Sequence, residues 1–244
     1  YMNLKIEKSI SECRYGKEYM ADTSRVFVTS IESLNSEHDD FAPVITPDGQ
    51  KMYYSSKRPY KKHEKIYKPT GKFMENIFWA GKRGREWKFN GYLPKNINSE
   101  DNTAVIGLSP NGMELLIFDG KNGGGDIFQA QYKKSKWKSP KDSEFGKINS
   151  KYRESSVTIG YDNRTMYFVS NRPDKNAIGG QDIYKSTRKK SNKSWGKPVN
   201  VGGTINSPYD EEGLFLHPSG QVMYFSSKGH TSMGGYDLFK SELQ

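Results

Sequence analysis

Asp40-Phe41-Ala42-Pro43-Val44-Ile45-Thr46-Pro47-Asp48-Gly49, followed by Lys51-Met52-Tyr53-Tyr54-Ser55-Ser56, reads as a strand, a tight turn and a second strand. Asp48-Gly49 tolerates the positive φ that a two-residue hairpin turn requires. The same plan returns three times. Thr103 leads through Ser109-Pro110-Asn111-Gly112 to Leu115-Leu116-Ile117-Phe118. Glu154 leads through Asp162-Asn163 to Met166-Tyr167-Phe168-Val169-Ser170, and Glu211 through Pro218-Ser219-Gly220 to Val222-Met223-Tyr224-Phe225-Ser226. The second strands are nearly unbroken apolar runs, the pattern of a strand covered on both faces. A sheet lying between two other sheets has that property.

Further markers recur at matching offsets. An Asn-Ser pair closes each unit, at Asn35-Ser36, Asn98-Ser99, Asn149-Ser150 and Asn206-Ser207, with separations of 63, 51 and 57 residues. The turn positions Gly49, Gly112, Asn163 and Gly220 keep the same irregular spacing. Two unrelated markers in step identify a repeat. A third strand opens at Asn76-Ile77-Phe78, Asp126-Ile127-Phe128, Asp182-Ile183-Tyr184 and Asp237-Leu238-Phe239. Trp87, Trp137 and Trp195 follow, then Pro94, Pro140 and Pro198, residue types suited to an outer strand at a blade edge. Units of this length with four strands each predict an all-β fold, a β-propeller of four-stranded antiparallel blades over residues 26–244. Residues 1–25 form a helical or extended lead-in, with Ile6, Ile10 and Cys13 at helical spacing.

The blade count is open at this level. The fourth unit stops before its Trp strand, while Val26-Phe27-Val28 to Asn35-Ser36 looks like a Trp strand with no unit before it. Either the N-terminal strand completes the last blade and closes a four-bladed ring, or the chain is part of a five- or six-bladed ring.

The sequence Pro-x-x-x-Pro-Asp-Gly, then Met-Tyr-Tyr-Ser-Ser-Lys-Arg, Asp-Ile-Tyr, Trp-x-x-Pro and Ile-Asn-Ser resembles the WD40-like β-propeller repeat of TolB-type proteins over roughly residues 26–243. It is most similar to the propellers of Bacteroidetes outer-membrane-associated proteins, including a periplasmic scaffold of type IX secretion. The resemblance implies five or more blades in the intact protein and a non-catalytic scaffold binding envelope proteins. Its expected place is the periplasm, associated with the outer membrane and peripheral to the bilayer. A peptidoglycan-binding domain accompanies such propellers, and this sequence has none.

Composition agrees with a strand-rich fold. Aromatics make up 13% of the chain against 33% for all apolar residues, with 24 Gly and 11 Pro, which favours short strands and turns over a helical bundle. No apolar run is long enough to span a bilayer. Tyr1 does not begin a signal peptide, so any targeting segment is expected to be absent or removed. The single cysteine, Cys13, excludes an internal disulfide framework and a Cys-based zinc site. It reads as a half-buried helical thiol.

No catalytic, metal or cofactor site is expected. His38, His63, His217 and His230 have no metal-ligand spacing, and no Gly-x-Ser-x-Gly elbow occurs. Gly123-Gly124-Gly125, Gly179-Gly180 and Gly234-Gly235 read as turns, because no Lys-Ser/Thr follows them. Asp126, Asp182 and Asp237 recur once per blade and so read as acceptors for their own glycine loops, with calcium ligation as the alternative. Trp87, Trp137 and Trp195 are assigned the same structural standing.

The net charge of +10 is unevenly distributed. Loops joining third to fourth strands are basic, with Lys82, Arg83 and Arg85, then Lys133, Lys134, Lys136 and Lys138, then Arg188, Lys189, Lys190 and Lys193. Propeller topology places them on one face as a basic rim. Loops joining second to third strands emerge on the other face with the acidic inter-blade segments and carry Lys57, Arg58, Lys61, Lys62, Asn171, Arg172 and Lys228. Long loops on a rigid scaffold are the usual place for binding, so these residues are the candidate partner site. The competing readings are an anionic glycan, lipopolysaccharide or peptidoglycan bound by the basic rim, and a glycan-active enzyme, which would need a distinctive carboxylate pair. Nucleic acid is not an expected partner.

Overall fold

The computed structural model describes residues 2–21, 27–60, 66–67, 71–98, 102–120, 125–191 and 193–243. A lead-in helix, α1 (Met2–Ala21), precedes a first blade of β1 (Asp40–Ile45), β2 (Lys51–Ser56), β5 (Asn76–Arg83) and β6 (Glu86–Tyr92). The small ribbon β3 (Ile66–Tyr67) and β4 (Lys72–Phe73) lies within the loop from β2 to β5. Blade 2 is β7 (Thr103–Leu108), β8 (Glu114–Asp119), β9 (Asp126–Lys133) and β10 (Lys136–Trp137). Blade 3 is β11 (Glu154–Ile159), β12 (Thr165–Ser170), β13 (Asp182–Thr187) and β14 (Val199–Asn200). Blade 4 is β15 (Glu211–Leu216), β16 (Val222–Ser227) and β17 (Asp237–Glu242). The all-β propeller expected from the repeat is present, with three four-stranded blades and one three-stranded blade among the described residues.

Local chemistry explains the regularity. The four turn residues Gly49, Gly112, Asn163 and Gly220 all have positive φ, at 68°, 71°, 51° and 72°, which glycine and asparagine accept most readily. Each innermost strand carries a bulge at one place, between Phe41 and Val44, Val105 and Gly107, Ser155 and Val157, and Glu212 and Phe215. Blades 1, 2 and 3 end in the same backbone turn. The Pro94 carbonyl accepts from the Ile97 and Asn98 N–H groups, and Phe145 and Gly202 do the same for Ile148-Asn149 and Ile205-Asn206. The asparagine side chain then clasps the preceding third strand. Asn98 accepts from Ile77 N–H at 2.8 Å and donates to its carbonyl at 3.0 Å. Asn149 treats Ile127 and Asn206 treats Ile183 in the same way.

The core lies between blades. Tyr53, Ile77, Val105, Leu115 and Ile117 join blades 1 and 2, and Leu116, Ile127, Val157, Phe168 and Tyr184 join blades 2 and 3. Val169, Ile183, Met223 and Phe225 join blades 3 and 4. Covering one such aliphatic side chain contributes about 1.5–3 kcal/mol, so the junctions hold the fold more than any single sheet does. β1 packs on β7, β7 on β11 and β11 on β15, and no comparable packing joins β15 back to β1. Among the described residues the blades thus follow one another as an arc about the propeller axis, each packed on its neighbour in chain order, with no such contact between β15 and β1.

Three local expectations are corrected. Residues 27–30 form no strand, and Phe27 and Val28 are 91% and 93% exposed, because a fourth strand needs a third strand to pair with. Val26 and the expected boundary at residue 25 lie outside the described residues. Trp195 sits outside β14, fully buried beneath Arg188, whose guanidinium lies 4.2 Å above the ring. In α1 the residues turned toward the propeller are polar: Lys8 lies 4.8 Å over the Tyr209 ring, and the Tyr19 hydroxyl meets Thr231 Oγ1 at 2.7 Å. Ile6, Ile10 and Cys13 face outward, so the thiol is exposed rather than half-buried.

Candidate functional site

The two faces of the arc separate as topology requires. Lys82, Tyr132 and Arg188 donate backbone N–H groups to Gln50, Met113 and Arg164, so each third-to-fourth loop lies beside a first-to-second turn. Lys57, Gly120, Asn171 and Lys228 donate to Asp39, Asn102, Arg153 and Asp210, which puts the second-to-third loops beside the inter-blade segments on the other face.

On that second face the first residue of an innermost strand anchors the loop above it. Glu154, fully buried, accepts from Ser150 Oγ at 2.7 Å, Ser170 Oγ at 3.0 Å and Arg172 Nη2 at 2.9 Å. The same guanidinium donates to the Ile148 carbonyl at 2.5 Å and lies over the Phe168 and Tyr184 rings. Arg58 repeats this in blade 1, bridging Asp40 at 2.6 Å and the Leu34 carbonyl at 2.5 Å above Tyr54 and Phe78. Burial alone would raise the Asp40 carboxyl, but hydrogen bonds from Ser56, Arg58 and Ser36 outweigh it and hold the group below its ordinary value. Arg58 and Arg172 are thus struts that fix their loops.

Blade 4 departs from this plan. Glu211 keeps its serines, Ser207 at 2.6 Å and Ser227 at 2.7 Å, but Gly229 stands where the arginine would be. The His230 ring replaces the guanidinium at the turn, with Nε2 at 2.9 Å from the Ile205 carbonyl and the ring against Phe225 and Phe239. The Glu211 carboxyl is pushed up by burial, and its Oε2 meets no hydrogen-bond partner among the described residues.

Around these anchors the face alternates in charge. Lys57 lies 3.5 Å from Asp39 and 3.4 Å from Glu75, and Lys72 reaches Asp39 at 2.7 Å. Lys228 reaches Asp210 at 2.8 Å, a hydrogen bond that raises its pKa, and lies 4.6 Å over the Tyr236 ring. Arg153 approaches Glu212 at 3.8 Å, while Glu212 also accepts from Ser155 and Ser156 across the blade junction. Asn171 accepts from Arg153 N–H at 2.9 Å. Lys61 and Lys62 lie outside the described residues.

On the opposite face Lys82, Arg83, Arg85, Lys133, Lys134, Lys136, Lys189 and Lys190 are exposed and stand outside salt-bridge range of any described acid. Arg188 is the exception, buried and paired with Glu144 at 2.8 Å.

The aspartates of blades 3 and 4 reach their glycine loops. Asp182 accepts from Ile178 N–H at 2.7 Å and Gly179 N–H at 2.9 Å, and Asp237 from Met233 N–H at 2.6 Å. Asp126 is pushed up by burial and by the nearby Glu154, Asp142 and Asp119, while Gly123 and Gly124 of its loop lie outside the described residues. Trp87 and Trp137 pack into the blade 1 outer cluster and the junction of blades 1 and 2. Among the described residues no group of three or more His, Cys, Asp or Glu is placed to hold a metal ion. No described helix is long and apolar enough to cross a membrane.

Sequence reasoning missed the acid–arginine struts. Their signal was available: Asp40 to Arg58 and Glu154 to Arg172 share an offset of 18 residues.

No family model matches the chain, and no curated protein does. Solved structures do. TolB from Acinetobacter baumannii superposes with a TM-score of 0.53 at 17% identity, covering 86% of this chain and 43% of that one. A putative TolB from Agrobacterium tumefaciens gives 0.48 at 16% identity, covering 81% and 64%. A puromycin-hydrolysing peptidase from Mycobacterium tuberculosis gives 0.46 at 14%, covering 84% and 30%. The chain spans less than two thirds of either TolB. The likeness to the Acinetobacter protein shows the fold alone: the chain is a β-propeller.

Proposed function

We propose that the chain is a non-catalytic scaffold that docks a protein partner on the face formed by its second-to-third loops and inter-blade turns. The observation that carries this is the set of struts. Arg58 and Arg172 fix the loops of Lys57 and Asn171 from below, and Asp210 and the Tyr236 ring hold Lys228, so the three stand in a mixed-charge surface that needs little ordering on binding. Alternating charge with exposed Tyr209 and Tyr236 suits a protein surface better than a polyanion. The bacterial envelope, the periplasm and a place within type IX secretion are supported by the resemblance of the repeat alone.

A second reading has its own observation. The exposed, unpaired cations of the opposite face would bind an anionic envelope glycan, with affinity falling as salt screens the contacts. Affinity capture from envelope extract separates the two. Lys57→Gln with Lys228→Gln is expected to cut recovery of the specific partner roughly tenfold, the loss of about 1.4 kcal/mol, while the lost ion pairs lower stability by less than about 1 kcal/mol each. Lys134→Glu with Lys189→Glu is expected to leave recovery intact. The reverse pattern would transfer the function to the basic rim.

A further inference from the structure

The junction of blades 2 and 3 breaks the apolar rule of the repeat at one position. In blade 1 the residue two places beyond the clasped Ile77 is Trp79, which packs against the junction with blade 2. Two places beyond the clasped Ile127 stands Gln129, and strand alternation turns both toward blade 3. Gln129 is 8% exposed, and its side-chain amide has no hydrogen-bond partner among the described residues. Buried polar side chains are nearly always paired, so the partner of this one must come from whatever fills the space beside it. That space is a cavity of about 330 Å³, bordered also by Gln131, Lys133, Lys138, Lys141 and Glu144. Its walls are fixed. Gln129 and Lys141 exchange backbone hydrogen bonds at 2.8 and 2.9 Å, and Lys138 N–H donates to the Gln131 carbonyl at 2.9 Å. Glu144 is held by Arg188 at 2.8 Å, and the Gln131 side chain is hydrogen-bonded to Glu114.

We propose that this cavity binds an acidic sugar, a hydroxyl-bearing ring that carries one carboxylate or phosphate group. The lining selects that class. Among the described residues no apolar or aromatic side chain borders the cavity, which disfavours a hydrocarbon or a nucleobase. Lys133, Lys138 and Lys141 are exposed at its rim, outside salt-bridge range of any described acid, and supply the charge for one anionic group. The two amides and the hydroxyls of Ser139 and Ser143 offer donors and acceptors together, which sugar hydroxyls use and a bare anion does not. Glu144 only accepts, so it suits a hydroxyl and repels a second anionic group. The volume lies at the low end of the range of about 300–1,000 Å³ for small-molecule pockets, room for one sugar unit. The cavity stands beside a basic third-to-fourth loop, away from the proposed docking face. It rests on the second reading above, an anionic glycan at the basic rim, and narrows it to one subsite.

Isothermal titration calorimetry of the full chain with glucuronate and with glucose monophosphate tests this, glucose and inorganic phosphate being the controls. One of the two acidic sugars is expected to bind roughly tenfold more tightly than either control, and which one it is identifies the anionic group. Gln129→Leu removes the unpaired amide and leaves no void, while Lys138→Gln with Lys141→Gln removes charge at exposed positions. Each variant is expected to weaken the sugar roughly tenfold with the circular dichroism spectrum unchanged. Inorganic phosphate bound as tightly as the sugars overturns the proposal, because the site would then read charge alone. Glucose bound as tightly, binding that both variants leave intact, or no binding at all overturns it too. Retention of a polyuronate by the protein without binding of the monomers would keep the glycan at the rim and overturn this pocket. Monomer binding without polyuronate retention would keep the pocket and remove the rim reading.

Discussion

Glu211 and Glu154 occupy the same place in their blades with different partners. Glu154 faces the Arg172 guanidinium at 2.9 Å, so Glu154→Gln leaves a half-buried cation without its counter-charge. A loss of roughly 3 kcal/mol is expected in urea unfolding near neutral pH. Glu211 has no such cation, and burial raises its carboxyl above the ordinary value. Its ionised form therefore costs stability in the folded chain. That cost is absent below the ordinary carboxylate value, where both states are protonated, grows as pH rises from there toward the raised folded value, and is constant above it. Glu211→Gln should accordingly gain stability over the native chain as pH rises above about 4.3, and a difference that stays flat with pH would show that the carboxylate is solvated after all. The sequence displayed both acids and both arginines. What it could not display is that Arg58 and Arg172, assigned to a binding surface by loop position, fold back onto carbonyls and aromatic rings. A long side chain at a loop root has two places to go, and only the rings beneath it decide.

At the scale of the element, the glycine loops before β13 and β17 each lean on one carboxylate. Asp182 accepts two loop N–H groups and an Asn200 amide while fully buried. Asp182→Ala should lower stability by roughly 1–3 kcal/mol, and Asp237→Ala, which removes a single exposed acceptor, by less than about 1 kcal/mol. Comparing the two midpoints checks the ranking. The strands themselves were legible because apolar runs and turn pairs repeat in step, and a feature present in four copies outweighs local noise. The bulges in the innermost strands were not, since they follow from crowding near the axis and not from residue type alone. Residues 27–30 read as a strand because their composition is right, but pairing requires a neighbour. The apolar stripe of α1 was found, yet its direction was not, because periodicity gives a face and no compass.

Across the whole molecule, an arc whose blades touch only their neighbours should unfold as a linear array does. Blades 2 and 3 are covered on both sides, whereas β16 is buried only at alternate residues. Amide exchange is therefore expected to be slowest in β8 and β12 and fastest in β17, with a gradient along the chain. Uniform protection in all four blades at low concentration would mean that the ends are covered in a single copy. The mixed-charge face and the basic face were both legible in outline, because topology assigns loops to sides; the ion pairs within them depend on reach and were not. The bulges carry a last consequence. They distort the four strand edges nearest the axis, and a distorted edge is a poor template for another chain. The register of β16 with β17 is unbroken from Val222–Glu242 to Ser227–Asp237, so the distortion belongs to the strands nearest the axis. The hub should therefore refuse a strand offered by another molecule.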